Sequence, residues 1–372
     1  MIPGAIVLCG RSCGRFLATG AKRGAARRSR LAVMSDHTEV WNVSAADFPE
    51  EATPGRQWRF LLNYAVMAPS NRNSQPWLFR VHDEELELYA DRSRACRISD
   101  PRDRELTISC GAALFNLRAA MRHFGRLGGV RLLPDDDHPD LLARVRFGDR
   151  AEATKEEMEL FQAIPERRTF RRLFQDDPVS DESLMKLRHA AESEGAWIQV
   201  VTENDGKAGL ADLIAEADQI QWSDKRFRLE FAVWVRRAPG AFDGLPEYAQ
   251  GQTDLLSFTG PMAVRTFELA DGQAAFDHDL AAYSPALLVL GAQGDDPVDW
   301  MRVGQALEHV LLRAEASGLC VSYLNQPIEV EETRPRVAEA LGREGFPHLV
   351  LRVGCGESVR PTPRRGVAKV LV

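Results

Sequence analysis

Two long stretches of this chain carry the same helical pattern of apolar residues, and they constrain the fold more than any other feature. Residues 105–124 place apolar side chains along one helical stripe, and residues 300–317 do the same. Aligned at an offset of 193 residues, Gly111 falls on Gly304. Although any two α/β segments can be matched to some degree, we expect two related halves.

A second correspondence supports the same interpretation. Residues 56–67 predict a helix followed by the strand "WLFRVHD", and residues 180–194 predict a helix followed by the strand "AWIQVVT". The connection from helix to strand is about six residues longer in the first half than in the second. The extra residues lie in the loop "APSNRNSQPW" at 68–77. We therefore predict two halves with the same order of elements, the first of which carries an insertion.

The loop at 68–77 is long for a connection between a helix and a strand, which usually needs about 4–6 residues. It consists of amides, hydroxyls, prolines and a final tryptophan. Loops of this kind are usually functional, so the first half is expected to carry a binding segment that the second half lacks.

Two arginine clusters occur only in the second half, at 166–172 ("ERRTFRR") and at 363–367 ("PRRGV"). Arginine presents a planar fork of donors that suits phosphate oxygens. Taken alone, either cluster is more often a solvated face, and a basic tail can equally bind acidic surfaces.

The first 34 residues differ from the rest, with seven Lys or Arg and no acidic residue. Transit peptides have this composition. The alternative, which we favour, is a translation start placed too early, because Met34 opens an ordinary beginning, "MSDHTEV". We expect 1–34 to be a basic, disordered extension.

Composition and motifs exclude several classes of function. The formal net charge is −7, no apolar run reaches the roughly 20 residues of a membrane span, and the six cysteines lack zinc-site spacing. We therefore expect a cytoplasmic protein with free thiols, no metal, no nucleic-acid partner and no membrane partner. No Ser/His/Asp set, GxGxxG turn or HExxH motif is present, so no catalytic residue is assigned.

Together these motifs resemble the FMN-dependent nitroreductases. In that family a run similar to "APSNRNSQPW" wraps the flavin ring, an arginine motif similar to "RRTFRR" opens the domain, and a basic motif similar to "PRRGV" closes it. "LNQPIEV" at 324–330 is similar to the segment beside the reactive edge of the flavin. The resemblance covers about residues 55–372 and implies FMN as cofactor, with NAD(P)H as a transient co-substrate.

The motifs are divided between the halves in an unusual way. The first half, 35–150, has the ring loop without the arginines, and the second half, 151–372, has the arginines without the loop. An ordinary member carries both in one domain and dimerises. This chain instead resembles the single-chain branch that includes the mycobacterial Acg proteins, which implies two fused halves, an intramolecular pseudo-dimer and one flavin. The resemblance also implies an α+β, nitroreductase-like fold in which each half has a mostly antiparallel sheet flanked by helices. A monomer is expected, with further dimerisation possible.

The resemblance also implies the residues that bind the cofactor. Asn73 and Gln75, which can both donate and accept hydrogen bonds, would face the ring edge together with Ser70. The arginines and a nearby hydroxyl would bind the phosphate, and the backbone around Glu329 and Val330 would face the flavin N5. The phosphate-binding candidates are Arg167, Arg168, Thr169, Arg171, Arg364 and Arg365.

A long Gly- and Pro-rich stretch within about 222–283 follows a predicted helix at 222–238. It is either a surface excursion that covers the core or a lid over the flavin, and the sequence favours neither. The predicted function is a two-electron oxidoreductase that passes hydride from NAD(P)H to a small nitro-aromatic, quinone or similar acceptor. The alternative is a flavin-storage or redox-sensing protein with a lidded site and little turnover.

Overall fold

The computed structural model describes residues 39–236, 241–246, 249 and 270–372. By its contacts the chain divides into two units, Met1–Met34 and Ser35–Val372. The expectation for 1–34 lies outside the described residues, as does much of the Gly- and Pro-rich stretch. In the described residues no helix is long and apolar enough to cross a membrane.

The first half contains an antiparallel four-stranded sheet in the order β1-β2-β4-β3. Three helices accompany it, and α2 packs across both α1 and α3. The strands are β1 (Trp77–His82), β2 (Glu85–Ala90), β3 (Leu127–Leu132) and β4 (Leu141–Phe147), and the helices are α1 (Pro54–Ala65), α2 (Arg104–His123) and α3 (Lys155–Ala163).

The second half contains another antiparallel four-stranded sheet, in the order β5-β8-β10-β9. A parallel pair of two-residue strands, β6 (Val235–Arg236) and β7 (Leu245–Pro246), lies apart from it. The sheet strands are β5 (Trp197–Val201), β8 (Ala286–Ala292), β9 (Cys320–Tyr323) and β10 (Phe346–Gly354). The helices are α4 (Asp181–Glu192), α5 (Asn204–Ser223), α6 (Lys225–Trp234), α7 (Ala270–Ala282), α8 (Pro297–Ala316), α9 (Gln326–Glu329) and α10 (Arg334–Ala340).

The two long amphipathic helices, α2 and α8, pack against each other at the centre. Their closest approach is at Gly111 and Gly304, where a Cβ on Gly304 would stand 2.1 Å from the Ile108 carbonyl oxygen and 2.8 Å from the Gly111 Cα. Met301 and Leu312 of α8 belong to the core of the first half, and Ile108 of α2 belongs to the core of the second. Each half is therefore completed by a helix of the other.

The predicted elements differ from the structure in two places, both within 222–283. The end of the Gly- and Pro-rich stretch, interpreted as a loop, forms the helix α7 from Ala270. The sequence predicted a single helix over 222–238, but the chain ends α5 at Ser223 and starts α6 at Lys225. Asp224 between them has extended backbone geometry, and its carboxylate accepts a hydrogen bond from the Arg226 N–H at 2.7 Å. An aspartate that caps the next helix ends the previous one, because its own backbone is not helical.

Candidate functional site

A cavity of about 440 Å³ lies where the two halves and the α5–α7 region meet. The first half contributes the turn at 69–73 and the first turns of α2. The second half contributes 167–172, the chain from Ser322 to Glu329, and 358–364. The remaining wall comes from α5, α6, α7 and the segment around Leu245. Its volume is within the range of small-molecule sites in proteins, about 300–1,000 Å³.

One end of the cavity is positively charged and incompletely paired. Arg167 is 3% exposed, and neither its Nε nor its Nη1 has a hydrogen-bond partner in the described part of the chain. Arg364 is equally buried, and its Nε also lacks a partner there. Burial, together with the charges of Arg167 and Arg168, lowers the pKa of Arg364 to about 9. Buried cations without partners are costly, so this end suits an anion.

Trp41 and Arg168 belong to the same end. The Arg168 guanidinium lies 4.3 Å from the centre of the Trp41 ring, and that of Arg364 lies 4.9 Å from it. Trp41 itself is fixed by its Nε1, which donates to the Thr362 carbonyl at 2.9 Å. Stacking on an indole face partly compensates a guanidinium that has lost water. Burial still lowers the pKa of Arg168 to about 10.

Glu308 of α8 is the carboxyl nearest to this cluster. Its Oε1 lies 3.7 Å from Arg167 Nε, too far for a good hydrogen bond. Burial raises the pKa of Glu308 to about 7, although the charge of Arg167 acts in the opposite direction. The pair therefore leaves most of the guanidinium edge of Arg167 unused.

Most of the residues that the sequence assigned to the cofactor lie at this cavity, and three do not. Those that line it are Ser70, Asn73, Arg167, Arg168, Thr169, Arg171, Glu329 and Arg364. Those outside the lining are Gln75, Val330 and Arg365. Several of the residues that line the cavity already form hydrogen bonds within the protein through their side chains or backbone.

Gln75 and Arg365 bind each other rather than the cavity. The Gln75 Nε2 donates to the Phe242 carbonyl at 2.7 Å, and its Oε1 accepts from the Arg365 N–H at 2.7 Å. The Arg365 guanidinium donates to the Gln75 carbonyl at 3.0 Å and to the Lys369 carbonyl at 2.7 Å. Their polar groups hold the C-terminal segment in place and neither residue lines the cavity, while their assignment to the flavin and its phosphate stays a prediction.

Asn73 lines the cavity, but its amide is fully bonded. Its Nδ2 donates to the Gly244 and Pro363 carbonyls at 3.0 and 3.1 Å, and its Oδ1 accepts from Arg364 at 2.9 Å. Asn73 therefore positions Arg364 instead of facing a ring edge. The Ser70 hydroxyl accepts from the Gln75 N–H at 2.9 Å and keeps the ability to donate one hydrogen bond.

Arg171 and Thr169 contribute less donor capacity than the sequence suggested. Arg171 Nη1 donates to the Ala249 carbonyl at 3.0 Å, and burial lowers the pKa of Arg171 to about 10. Thr169 forms an isolated parallel bridge with Val321, which fixes the backbone of the arginine motif against β9.

The backbone around Glu329 and Val330 is also used within the chain. The Glu329 N–H donates to the Asn325 carbonyl at 3.0 Å, and the Val330 N–H donates to the Gln326 carbonyl at 3.1 Å, closing the single turn of α9. That these N–H groups face a ligand stays a prediction. The Glu329 carboxylate instead lines the cavity and accepts from Gln221 Nε2 at 2.7 Å.

The α5–α7 region is fastened to the first half. The Glu230 carboxylate of α6 accepts from Arg72 at 2.9 Å, from the Ile98 N–H at 2.7 Å and from the Ser99 hydroxyl at 3.0 Å. Asp243 forms an ion pair with Arg94. The described parts of 222–283 thus form one wall of the cavity.

Comparison with known proteins identifies the family of the chain. A family model described as the nitroreductase family matches residues 164–357. The putative NAD(P)H nitroreductase Rv3131 of Mycobacterium tuberculosis is 31% identical over 329 residues, which cover 87% of this chain and 92% of that protein. The chain belongs to the nitroreductase family. Among other nitroreductase relatives, the putative NAD(P)H nitroreductase acg of M. tuberculosis is 28% identical over 82% of this chain and 92% of its own.

Solved nitroreductase structures are more distant. An FMN- and NADPH-dependent nitroreductase, NfnB, from sphigopyxis sp. strain HMH is 17% identical with a TM-score of 0.38, over 57% of this chain and 97% of that one. A nitroreductase with bound FMN from Bacteroides fragilis is 14% identical with a TM-score of 0.33, over 54% of this chain and 90% of that one. The fold of this chain is the nitroreductase α+β fold.

Several residues of this nitroreductase site were not found from the sequence. The main ones are Trp41, Glu105, Asp218, Gln221, Asp277 and Tyr323. Trp41 precedes the first predicted helix, and Glu105 lies on a helix considered only for its apolar stripe. Asp218 and Gln221 lie on a helix that was not predicted from the sequence, and Asp277 lies in the stretch interpreted as a long loop. Glu105 offered one usable signal, because an acid in the first turn of a helix whose opening is buried is unusual.

Proposed function

We propose that the chain binds one FMN in the 440 Å³ cavity and uses it to pass electrons from NAD(P)H to a small nitro-aromatic, quinone or similar acceptor. The observation that carries this proposal is the buried arginine cluster at one end, where Arg167 and Arg364 have donors without hydrogen-bond partners in the described residues. The printed names of the relatives, which are NAD(P)H nitroreductases, support the reaction class.

The residues present suit the phosphate of FMN. A phosphate at the arginine end would accept from Arg167 Nε and Nη1 and from Arg364 Nε, which are the atoms left without partners. Charge-assisted hydrogen bonds of this kind are roughly twice as strong as neutral ones. Arg168 adds a third positive charge, with its guanidinium already oriented by Trp41. When bound, FMN would supply the hydride chemistry, and the protein would supply position and exclusion of water.

We further propose that the chain is a fused pair of halves with a single site. The first half provides the turn at 69–73 and Glu105, and the second provides the arginines. The Gly111–Gly304 contact supports this, because residues that correspond in the two halves touch each other, as they do across a two-fold axis. A chain of this kind needs no second copy to complete its site, so we expect a monomer.

The test is FMN titration of the apoprotein by fluorescence quenching and absorbance. We expect about one FMN per chain. Arg167→Gln should weaken FMN binding about 10- to 100-fold, the loss typical of a hydrogen bond to a charged group. Arg365→Gln is the matched control, and it should keep FMN because its guanidinium faces the C-terminal segment. The proposal is contradicted if Arg365→Gln weakens FMN binding more than Arg167→Gln does, or if the wild-type protein takes up no FMN.

The alternative, a flavin-storage or redox-sensing protein, has one observation in its favour. The wall built from α5 to α7 is held over the cavity by Glu230 and Asp243. A wall that does not open would keep NAD(P)H from the flavin. Anaerobic mixing of the FMN-loaded protein with NADH or NADPH decides between the two functions, because only the oxidoreductase will lose its flavin absorbance within seconds.

A further inference from the structure

Two aspartates on the α5–α7 wall form a buried carboxyl pair that the proposed cofactor site does not use. Asp218 of α5 is 1% exposed and Asp277 of α7 is 6% exposed, and both line the cavity. The lining beside them includes the apolar side chains of Trp222, Phe276 and Leu280. Two carboxyls in such surroundings cannot both be ionised at low cost.

The two carboxyls lie side by side, because one amide nitrogen, that of Gln326, reaches both of them. The charge of Asp277 at this distance raises the pKa of Asp218, so the pair retains a proton more readily than a single carboxyl would. The amide of Gln326 donates to Asp277 at 2.8 Å and more weakly to Asp218 at 3.4 Å, and Gln273 donates to Asp277 at 2.7 Å. Asp277 therefore receives the stronger hydrogen bonds, which favour its charged form and leave the proton on Asp218.

The surrounding charges act in the same direction. Burial and then the charge of Asp277 raise the pKa of Asp218 well above its usual value, and Glu329 adds to this effect. Arg352 is the cation that acts on Asp277 and favours its ionised form. Within the described part of the chain no donor faces Oδ1 of Asp218. Asp218 is thus a buried acid at the cavity wall, and its Oδ1 has no hydrogen-bond partner among the described residues.

We propose that the Asp218–Asp277 pair is the proton donor for the acceptor reduced in this cavity. The proposal rests on the proposed oxidoreductase function and assigns that site an acid. A quinone that accepts hydride from the reduced cofactor retains one oxyanion. The Asp218 O–H bond breaks, an O–H bond forms on that oxygen, and the pair is left with two negative charges. Solvent then returns one proton, so NAD(P)H, one proton and the quinone give NAD(P)⁺ and the hydroquinone.

A purely structural role is the competing explanation, since the pair also joins α5 to α7. The two roles differ in what they affect. A structural link would change stability and FMN retention for every acceptor alike. A proton donor affects only the step in which an acceptor needs a proton, and it leaves electron transfer to a proton-independent acceptor unchanged.

The experiment compares two acceptors on the FMN-loaded protein. Menadione takes two electrons and needs protons, whereas ferricyanide takes single electrons and needs none. Asp218→Asn keeps the shape and can hydrogen-bond Asp277, but it cannot give up a proton. We expect it to slow reoxidation of the reduced protein by menadione about 100-fold, the usual lower range for a general acid, and to leave ferricyanide unaffected.

The matched control is Asp212→Asn, on the same helix but facing solvent, where its carboxylate lies 3.4 Å from His278 of α7. It should change neither rate. Equal slowing with both acceptors in Asp218→Asn, or no slowing with either, overturns the proposal. Absence of FMN from the wild-type protein would instead refute the proposed function, and that is measured separately by absorbance.

Two further readouts do not depend on the variant being active. In the wild-type protein, menadione reduction should fall as pH rises through the raised pKa of the pair, while ferricyanide reduction stays level. Proton titration of the folded apoproteins should show one fewer group titrating above the ordinary aspartate range in Asp218→Asn than in wild type. A pH profile shared by both acceptors, or equal titration curves, contradicts the assignment.

Discussion

Individual arginines in this protein differ in function because they differ in partners. Arg72 is buried but neutralised by Glu230 at 2.9 Å, and it lies 5.1 Å from the Phe227 ring. Arg365 is bonded to backbone carbonyls. Arg167 alone among these three has two nitrogens without partners in the described chain. Charge pattern along the sequence cannot distinguish these cases, because each partner comes from a distant segment.

The buried carboxyl of Glu308 predicts how the free energy of unfolding depends on pH. Its carboxyl pKa is about 7 in the folded apoprotein and lower when unfolded, so its contribution to stability is present at low pH and is lost as pH rises to about 7. Glu308→Gln does not titrate. Relative to wild type, the variant should therefore gain about 3 kcal/mol in free energy of unfolding between about pH 5 and pH 8. Urea denaturation of the apoproteins at several pH values measures this difference, and a pH-independent difference contradicts it.

Among the elements, the α2–α8 contact depends on two glycines. Adding a Cβ at Gly304 would bring it within 2.1 Å of a backbone oxygen that cannot move without shifting α2. We expect Gly304→Ala to lower the free energy of unfolding by about 3 kcal/mol. Gly209→Ala in α5 is the control: nothing lies within 4 Å of its added Cβ, so the variant should gain up to about 1 kcal/mol. Thermal or urea denaturation compares them, and equal effects contradict the packing explanation.

We expect the attachment of α6 to decide between turnover and storage. Glu230→Gln should loosen its attachment, because the buried Arg72 loses its charged partner. We expect faster reduction of bound FMN by NAD(P)H in stopped-flow experiments, by about tenfold if opening limits the reaction. Glu216→Gln, which removes an exposed pair with Arg336, serves as control. FMN content must be measured first, and an unchanged rate in flavin-loaded Glu230→Gln indicates that α6 does not gate the site.

Excision of 239–272 would test the same idea more coarsely, although most of that segment lies outside the described residues.

The whole molecule should unfold as one unit. Met301 and Leu312 complete the first core and Ile108 the second, so neither half buries its apolar surface alone. We expect one cooperative transition for 35–372, with FMN released in the same transition, and no cooperative unfolding for 35–150 expressed alone. Calorimetry and far-UV circular dichroism measure this. Two separate transitions would contradict it.

The local features of the fold could be predicted from the sequence. The periodicity of 105–124 and 300–317 predicts helices because a helix buries one stripe regardless of what covers it. The loop at 68–77 and the arginine motifs were found for the same reason, since their composition is unusual within a short window. The break at Asp224 was also local, and a helix-capping aspartate could have indicated it.

Only the tertiary structure decided which polar groups are free. The sequence predicted Gln75 and Asn73 as ligands of the flavin. In the structure their amides are hydrogen-bonded to the segment at 241–246 and to the C-terminal segment. Arg167 became a candidate anion ligand because two of its nitrogens have no hydrogen-bond partner among the described residues, and Asp218 became an acid because Asp277, 59 positions later, is its neighbour. A pKa and an unused hydrogen bond depend on burial and on neighbours in space, and the sequence alone specifies neither directly.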